Sequence, residues 1–502
     1  MVAISRPLKV YFLPFLAQGH LIPSCQFARL FAARGLHVTI ITTSVNARFL
    51  ESSIEESKAL GHHIQLHIIR FPSEEVGLPV GIENFFNVTD AKTADKFYVA
   101  AGLLKNQVEP FMEQNPPDCI VSDFIYPWTA PIATRLGIPR IVFNSFCLFA
   151  VCMINANKRQ SQSQPSSSYD HNSGGPFVVS GLPDPITLTL RPPKLISHQL
   201  ESLIEADQKN SYGLIVNNFC ELDGPDYIKY YQKITDLKVW HIGPASLMLR
   251  NMQRQKNHHH QQRNKEHEYI RSWLDSKECN SVVFVSFGSL CRFAGPQLFE
   301  IACGLESSGC SFIWVVHRES KQKNHRDEED EEDAWLPLGF EERMKKENRG
   351  LILMKWAPQE LILNHPAIGG FMTHCGWTSV TEAVSAGVPM MTWPVFIEQF
   401  YNEKLITQVH GFGVEVGAEE WKSSPYERME KVVSRVNIEK AVRRLMDGGD
   451  EAERVRMKAR EMREKAGKAV EEDGSSQMNL TAMIEDLKLL AMNGARNGTS
   501  MG

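Results

Sequence analysis

Residues Trp356–Gln399 read WAPQELILNHPAIGGFMTHCGWTSVTEAVSAGVPMMTWPVFIEQ, and their order decides the architecture. An apolar run ends at His374, a turn passes through Cys375-Gly376-Trp377, and a helical pattern starts near Thr378-Ser379. Such a unit exposes a helix N-terminus, whose unpaired N–H groups and positive dipole end form an anion site. Gly376 allows close backbone approach, and His374, Thr378 and Ser379 add donors suited to a diphosphate. Further along the helix, Glu382 supplies a carboxylate for a pair of ribose hydroxyls, and Trp356 offers a flat face for a base. Taken singly, each residue reads better as part of a capped helix in a Rossmann-like sheet. Their combined order points to a nucleotide.

Outward from this segment, short β-branched runs alternate with helical patterns, the signature of parallel βαβ units. The first half predicts strands at Val10–Pro14, His37–Thr42, Gln65–Phe71, Cys119–Asp123, Arg140–Asn144 and Leu214–Asn217, with helices such as Pro23–Ala33 and Ala91–Gln114. The second half predicts Val282–Phe287, Phe312–Val316, Leu351–Met354, Gly370–His374, Pro389–Thr392 and Gly413–Val416. The histidine-rich stretch Met252–His267 separates the halves. The expected organisation is α/β, with Rossmann-like domains at 1–247 and 271–470, a linker at 248–270 and a last helix at 471–490. The linker histidines, the acidic run Asp327–Asp333 and the polar run Gln160–Ser168 read as solvated loops.

The 502 residues carry 54 Lys+Arg against 59 Asp+Glu, so no basic field draws the chain to nucleic acid. Ten cysteines without a CxxC pair fit a cytoplasmic protein with reduced thiols. The run Leu8–Ala17 is broken by Lys9 and Pro14, which makes it a first strand and not a signal peptide. No segment approaches the roughly 18 uninterrupted apolar residues of a membrane span.

The 44-residue segment resembles the plant secondary-product signature of family 1 UDP-glycosyltransferases through WAPQ, HPAIGGFMTHCGW, Glu382, SAGVP and the terminal acid-Gln pair. The similarity extends through Phe12-Leu13-Pro14-Phe15, Gly19-His20, Asp123, Phe287-Gly288-Ser289, LMDGGDEAERVRMKAR and EEDGSSQMN, and so covers essentially the whole chain. It implies the GT-B fold, two Rossmann-like domains facing across a cleft, with acceptor bound by the first, UDP-sugar by the second, and the last helix returning to the first. It places uracil on Trp356, Ala357 and Gln359, ribose on Glu382, phosphates on His374, Ser379 and Ser289, and sugar on Trp377, Glu398 and Gln399. Gln399 in this family is associated with glucose, so UDP-glucose is the expected donor substrate, with no cofactor.

His20 follows the first strand, at the carboxyl edge where doubly wound sheets hold ligands. The resemblance makes it the general base, oriented by Asp123 at the end of another strand. It implies attack by an acceptor hydroxyl opposite UDP, with inversion to a β-glucoside. No Asp-x-Asp occurs, so no metal is expected. Thr378 stands where the family usually has Asn, and Glu398 where Asp is also frequent. In the Asn144-Ser145-Phe146 region relatives carry a small hydroxyl residue near the sugar, a place taken here by Ser145 or, one position out of register, by Phe146. Phe85, Phe86, Phe124, Trp128, Phe146 and Phe149 are candidates for an apolar acceptor cleft and read equally as core. The expected partner is a hydrophobic small molecule, a flavonoid or a steroid or triterpenoid, bound by a monomer.

Two other classes fit less well. A nucleotide-dependent oxidoreductase needs GxGxxG after the first strand, where this chain has LAQGH. A non-catalytic UDP-sugar-binding protein is expected to lose His20 or Asp123, and both are present.

Overall fold

The computed structural model describes residues 6–163, 175–193, 210–255, 265–317, 335–354, 356–427 and 429–499. The chain divides into two compact units: Met1–Cys152 with His198–His258 and Gly467–Gly502, and Met153–Ser197 with His259–Ala466.

In the first unit lie β1 (Lys9–Leu13), β2 (His37–Thr43), β3 (Ile64–Ile69), β4 (Cys119–Asp123) and β5 (Arg140–Asn144). Next in the chain, β6 (Phe177–Val179) and β7 (Ile186–Leu188) form an antiparallel hairpin that belongs to the second unit. The first sheet is completed by β8 (Gly213–Val216) and β9 (Lys238–His241), in the order β3-β2-β1-β4-β5-β8-β9, with every pair parallel. Its central strands β4 and β5 are buried at every position. Burial on both faces explains why their centres, Cys119–Val121 and Ile141–Phe143, read as apolar without alternation.

The second sheet comprises β10 (Val282–Ser286), β11 (Ser311–Val315), β12 (Gly350–Leu353), β13 (Ile368–Thr373), β14 (Met390–Thr392) and β15 (Gly413–Glu415). Its order, β12-β11-β10-β13-β14-β15, is again wholly parallel. In both sheets the strand order reverses at one place, between β1 and β4 and between β10 and β13. Open α/β sheets bind ligands beyond the carboxyl ends of the strands at such a switch point.

Several boundaries differ from the sequence reading. The first helix spans Gln18–Ala33, not Pro23–Ala33, with Pro23 inside it, so His20 lies in a helical first turn. Proline favours the start of a helix, where its missing N–H costs nothing, so Pro23 alone points to a later boundary. Ala91–Gln114 is two helices, Ala91–Leu103 and Lys105–Gln114. Helices Ala245–Gln255 and Lys265–Asp275 occupy both ends of the expected linker, because Leu247, Met248 and Leu249 on one and Ile270 and Leu274 on the other are buried. Gln160–Ser163 end the helix Leu148–Ser163 rather than starting a loop. Gln164–Ser168, His258–His260 and Asp327–Asp333 lie outside the described residues.

Met153–Ser197 groups with the second unit for a visible reason. Asn157 Nδ2 donates to Tyr401 Oη at 2.9 Å, and the Gln408 amide pairs with both backbone groups of Thr187, at 3.0 and 2.8 Å. The last helix, Ser475–Thr499, packs on β9, with Ser476 Oγ donating to Gly243 O at 2.5 Å and Lys238 Nζ to Asp486 Oδ2 at 2.6 Å. No described helix is long and apolar enough to cross a membrane.

Candidate functional site

At the first switch point, Leu13 on β1 is in register with Ser122 on β4. The residues after these two strands therefore meet at one edge. His20 Nδ1 lies 2.7 Å from Asp123 Oδ2, with the Asp123 side chain fully buried and that of His20 19% exposed. The other carboxylate oxygen accepts the Ile125 N–H at 3.1 Å. With Nδ1–H donating to the carboxylate, the lone pair of the neutral ring sits on Nε2. Ser145 Oγ lies 3.4 Å from that nitrogen, at the outer limit of a hydrogen bond.

Aromatic rings surround the pair. Phe15 meets His20 edge-on at 5.4 Å, and Phe124 lies 6.0 Å from it and 5.3 Å from Phe146. Ser145, not Phe146, is the residue of its loop beside His20, since Phe146 is buried against Phe124. Phe86 lies in the short turn Phe85–Asn87, whose Phe85 packs on Phe15 at 5.6 Å. Trp128 joins through Tyr126, 5.5 Å away, and its buried indole N–H has no partner among the described residues. Phe149 is core, fully buried and 4.8 Å from Tyr227.

Sequence reasoning missed Arg140, which reads as an ordinary strand-end charge. Its buried guanidinium donates to Ser122 Oγ at 2.9 Å, Thr129 Oγ1 at 2.6 Å and Tyr126 O at 3.3 Å. It thereby fixes the loop that follows Asp123 and carries Phe124 and Trp128.

At the second switch point, Ser286 on β10 is in register with Thr373 on β13. The His374 ring sits between two glycines: a Cβ on Gly288 would stand 2.6 Å from Nε2, and one on Gly376 2.4 Å. Both positions must lack a side chain for the imidazole to fit. Phe287 anchors the first glycine by packing edge-on against buried Trp393 at 5.3 Å. Burial pushes the His374 imidazolium down to a pKa of about 4, so near neutrality the ring is an uncharged donor. Its Nδ1 is buried without a partner among the described residues.

Gly376 caps the helix Trp377–Ala386, whose first intrahelical bond is Val380 N–H to Gly376 O at 3.1 Å. The N–H groups of its first turn precede that bond and suit an anion. Ser289 and Thr378 are half-buried near this turn, whereas Trp377 is buried at 3% exposure. Gln359 Nε2 donates to Ser379 Oγ at 3.0 Å and to Glu382 Oε2 at 2.6 Å, joining three of the expected ligand residues into one network. Ala357 is buried beside Gln359, and Trp356 stands 57% exposed. Glu398 and Gln399 are buried at the start of the helix Gln399–Lys404. Gln399 Oε1 already accepts the N–H groups of Val395 and Phe396, at 3.0 and 3.1 Å, so its NH₂ is the end that can meet a ligand.

Two non-glycine residues adopt left-handed backbone in this segment, Cys375 at φ 65° and Ile397 at φ 53°. Each costs about 1–2 kcal/mol, and such conformations persist where the surroundings over-determine them. Among the described residues no three His, Cys, Asp or Glu side chains gather as a metal-binding group.

The chain is similar in sequence and fold to known proteins. The family model described as "UDP-glucoronosyl and UDP-glucosyl transferase" matches residues 83–445. The chain is 48% identical over 492 residues to UDP-glucosyl transferase 73CC6 of Saponaria officinalis, covering 97% of this chain and 98% of that one. It is 43% identical over 500 residues to UDP-glucose flavonoid 3-O-glucosyltransferase 7 of Fragaria ananassa, with 97% and 98% covered. Among solved structures, UGT73P12 of Glycyrrhiza uralensis, complexed with glycyrrhetinic acid 3-O-monoglucuronide, superposes with TM-score 0.86 at 36% identity, covering 99% and 98% of the two chains. The chain is therefore a transferase of GT-B fold that belongs to the plant family 1 UDP-glycosyltransferases.

Proposed function

We propose that this transferase moves glucose from UDP-glucose to a hydroxyl of an apolar plant metabolite, with inversion at the anomeric carbon. The observation that carries the reading is the His20–Asp123 pair, 2.7 Å apart at a sheet switch point and bordered by aromatic rings. The acceptor O–H gives its proton to Nε2 of His20 while Asp123 holds Nδ1–H and stabilises the imidazolium that forms. The acceptor oxygen bonds to the anomeric carbon as the bond from that carbon to the diphosphate oxygen breaks. UDP departs with the electron pair.

In this reading the first turn of the Trp377 helix and the neutral His374 N–H stabilise the leaving diphosphate, together with Ser289, Thr378 and Ser379. Trp356, Ala357 and Gln359 hold uracil, and Glu382 holds ribose. Trp377, Glu398 and the Gln399 NH₂ meet the sugar. Phe86, Phe124, Trp128, Ser145 and Phe146 line the acceptor side. The glucosyltransferase names of the two relatives support the donor, and the flavonoid and glycyrrhetinic acid in the relatives' names support a flavonoid or triterpenoid acceptor.

The test is a mass-resolved competition of UDP-glucose, UDP-galactose, UDP-xylose and UDP-rhamnose against mixed flavonol, sterol and triterpenoid acceptors, with His20→Ala alongside. A glucose adduct absent from the variant is expected; a pentose or deoxyhexose adduct contradicts the donor assignment. Turnover is expected to survive excess chelator, and its loss with recovery on adding Mg²⁺ contradicts a metal-free mechanism.

A further inference from the structure

The strained residues Cys375 and Ile397 stand immediately before the two halves of the donor site assigned above, on which this inference rests. Cys375 precedes Gly376 and the first turn of the Trp377 helix. Ile397 precedes Glu398 and Gln399. In each case the carbonyl of the strained residue is held by a side-chain N–H from elsewhere: Asn402 Nδ2 donates to Cys375 O at 2.8 Å, and Trp421 Nε1 donates to Ile397 O at 2.9 Å. The geometry points to Asn402 and Trp421 as positioning residues, the first for the diphosphate turn and the second for the sugar-facing pair.

A peptide carbonyl and the N–H that follows it share one rigid plane. Holding Cys375 O thus aims the Gly376 N–H and sets the entry into the helix whose first-turn donors face the diphosphate. Holding Ile397 O sets the same plane before Glu398. Both clamps come from anchored supports. Asn402 is fully buried on the Gln399 helix, which is fixed by Thr392 Oγ1 on Glu403 Oε2 at 2.8 Å and by Lys404 Nζ on Glu403 Oε1 and Glu415 Oε1 at 2.9 and 2.8 Å. Trp421 is stacked on Phe400 at 4.6 Å and meets Tyr401 edge-on at 5.0 Å. Next to it, Lys422 N donates to Val395 O at 3.0 Å and Ile397 N to Lys422 O at 3.3 Å. Asn402 is also one turn beyond Gln399 on the same helix, so the clamp on the diphosphate turn and the sugar-facing amide share one rigid body.

The two clamps act on different parts of the donor, which separates them from a general contribution to folding. Trp421→Phe keeps the ring stack and removes only the N–H. It is expected to raise the KM for UDP-glucose about fivefold while leaving the affinity for UDP within twofold of wild type. Asn402→Leu keeps the volume and removes the donor, and Asn402→Ser is the second variant should the leucine chain not fold. Either is expected to weaken UDP about tenfold while uridine, which lacks the diphosphate, competes as well as it does with wild type. Ile397→Gly, in the background of Trp421→Phe, relieves the left-handed strain and is expected to recover part of the lost affinity for UDP-glucose.

The inference is overturned if folded Trp421→Phe and Asn402 variants bind UDP and UDP-glucose as wild type does, or if each weakens uridine, UDP and UDP-glucose by one common factor. Glu382→Ala, measured in parallel, tells the two failures apart. If it weakens UDP and the clamp variants do not, only the clamps are refuted; if it too leaves UDP unchanged, the donor-site assignment fails.

Discussion

His20 and His374 both lie at the carboxyl edge of a parallel sheet near its switch point, His20 in the helix after β1 and His374 directly after β13, yet their surroundings differ. His20 is partly exposed, has a buried carboxylate on Nδ1, a serine hydroxyl 3.4 Å from Nε2, and the rings of Phe15 and Phe124 nearby. His374 has no partner at Nδ1 among the described residues, is pressed between Gly288 and Gly376, and has its pKa lowered by burial. In the proposed mechanism the same side chain serves as proton acceptor beside a carboxylate and as a neutral donor where burial lowers its pKa. A third histidine shows what the carboxylate alone provides. His241 Nε2 lies 2.9 Å from Asp223 Oδ2, but both side chains are sealed from solvent, so this pair ties β9 to the chain before it and meets no substrate.

The comparison can be broken in order of effect. His20→Ala removes the base, and turnover is expected to fall roughly 10³-fold or more with UDP affinity unchanged, measured by initial rates and calorimetry. Asp123→Asn keeps the shape but loses the charge that steadies the imidazolium, for an expected fall of about 10²–10³-fold in kcat with the donor KM unchanged. Gly376→Ala brings a methyl into the His374 ring, and calorimetry should show UDP affinity reduced about tenfold or more while the His20 site is untouched. Ser145→Ala is the mildest, with an expected change of less than about fivefold in kcat, because its contact with Nε2 is long.

Between the last two lies a pH effect. The His374 pKa is lowered from an ordinary 6.5 to about 4, so between those values the unfolded chain binds a proton that the folded chain does not. Stability supplied by the neutral ring is complete above pH 6.5 and declines as pH falls toward 4. Wild type is therefore expected to lose stability relative to His374→Gln over that interval, as thermal unfolding at several pH values would show. No such divergence should appear above pH 7.

How much of this was legible depended on whether the determinant was local. β4 and β5 lie at the predicted residues because each has a short apolar centre, Cys119–Val121 and Ile141–Phe143, followed by polar residues that mark its end. β9 was missed because Lys238–His241 offers four residues with a charge at one end, and the hairpin strands β6 and β7 have three residues each. The nucleotide segment was readable because its strand, turn and helix are contiguous. The clasp on His374 was not, since Gly288 meets it only through the pairing of β10 with β13. Nor could sequence reveal that Arg140 is caged by hydroxyls, that Gln399 spends its carbonyl on its own turn, or that Ser145 rather than Phe146 adjoins His20.

The most direct test sets His20→Ala beside His374→Ala and measures, for each, single-turnover rate at saturating UDP-glucose and the dissociation constant for UDP. A crossed pattern is expected. The His20 variant binds UDP like wild type and loses roughly 10³-fold or more of its rate, whereas the His374 variant binds UDP about tenfold more weakly and keeps a measurable single-turnover rate at saturation. Equal losses of binding in both variants, or a His20 variant within tenfold of the wild-type rate, would contradict the division of roles between the two histidines.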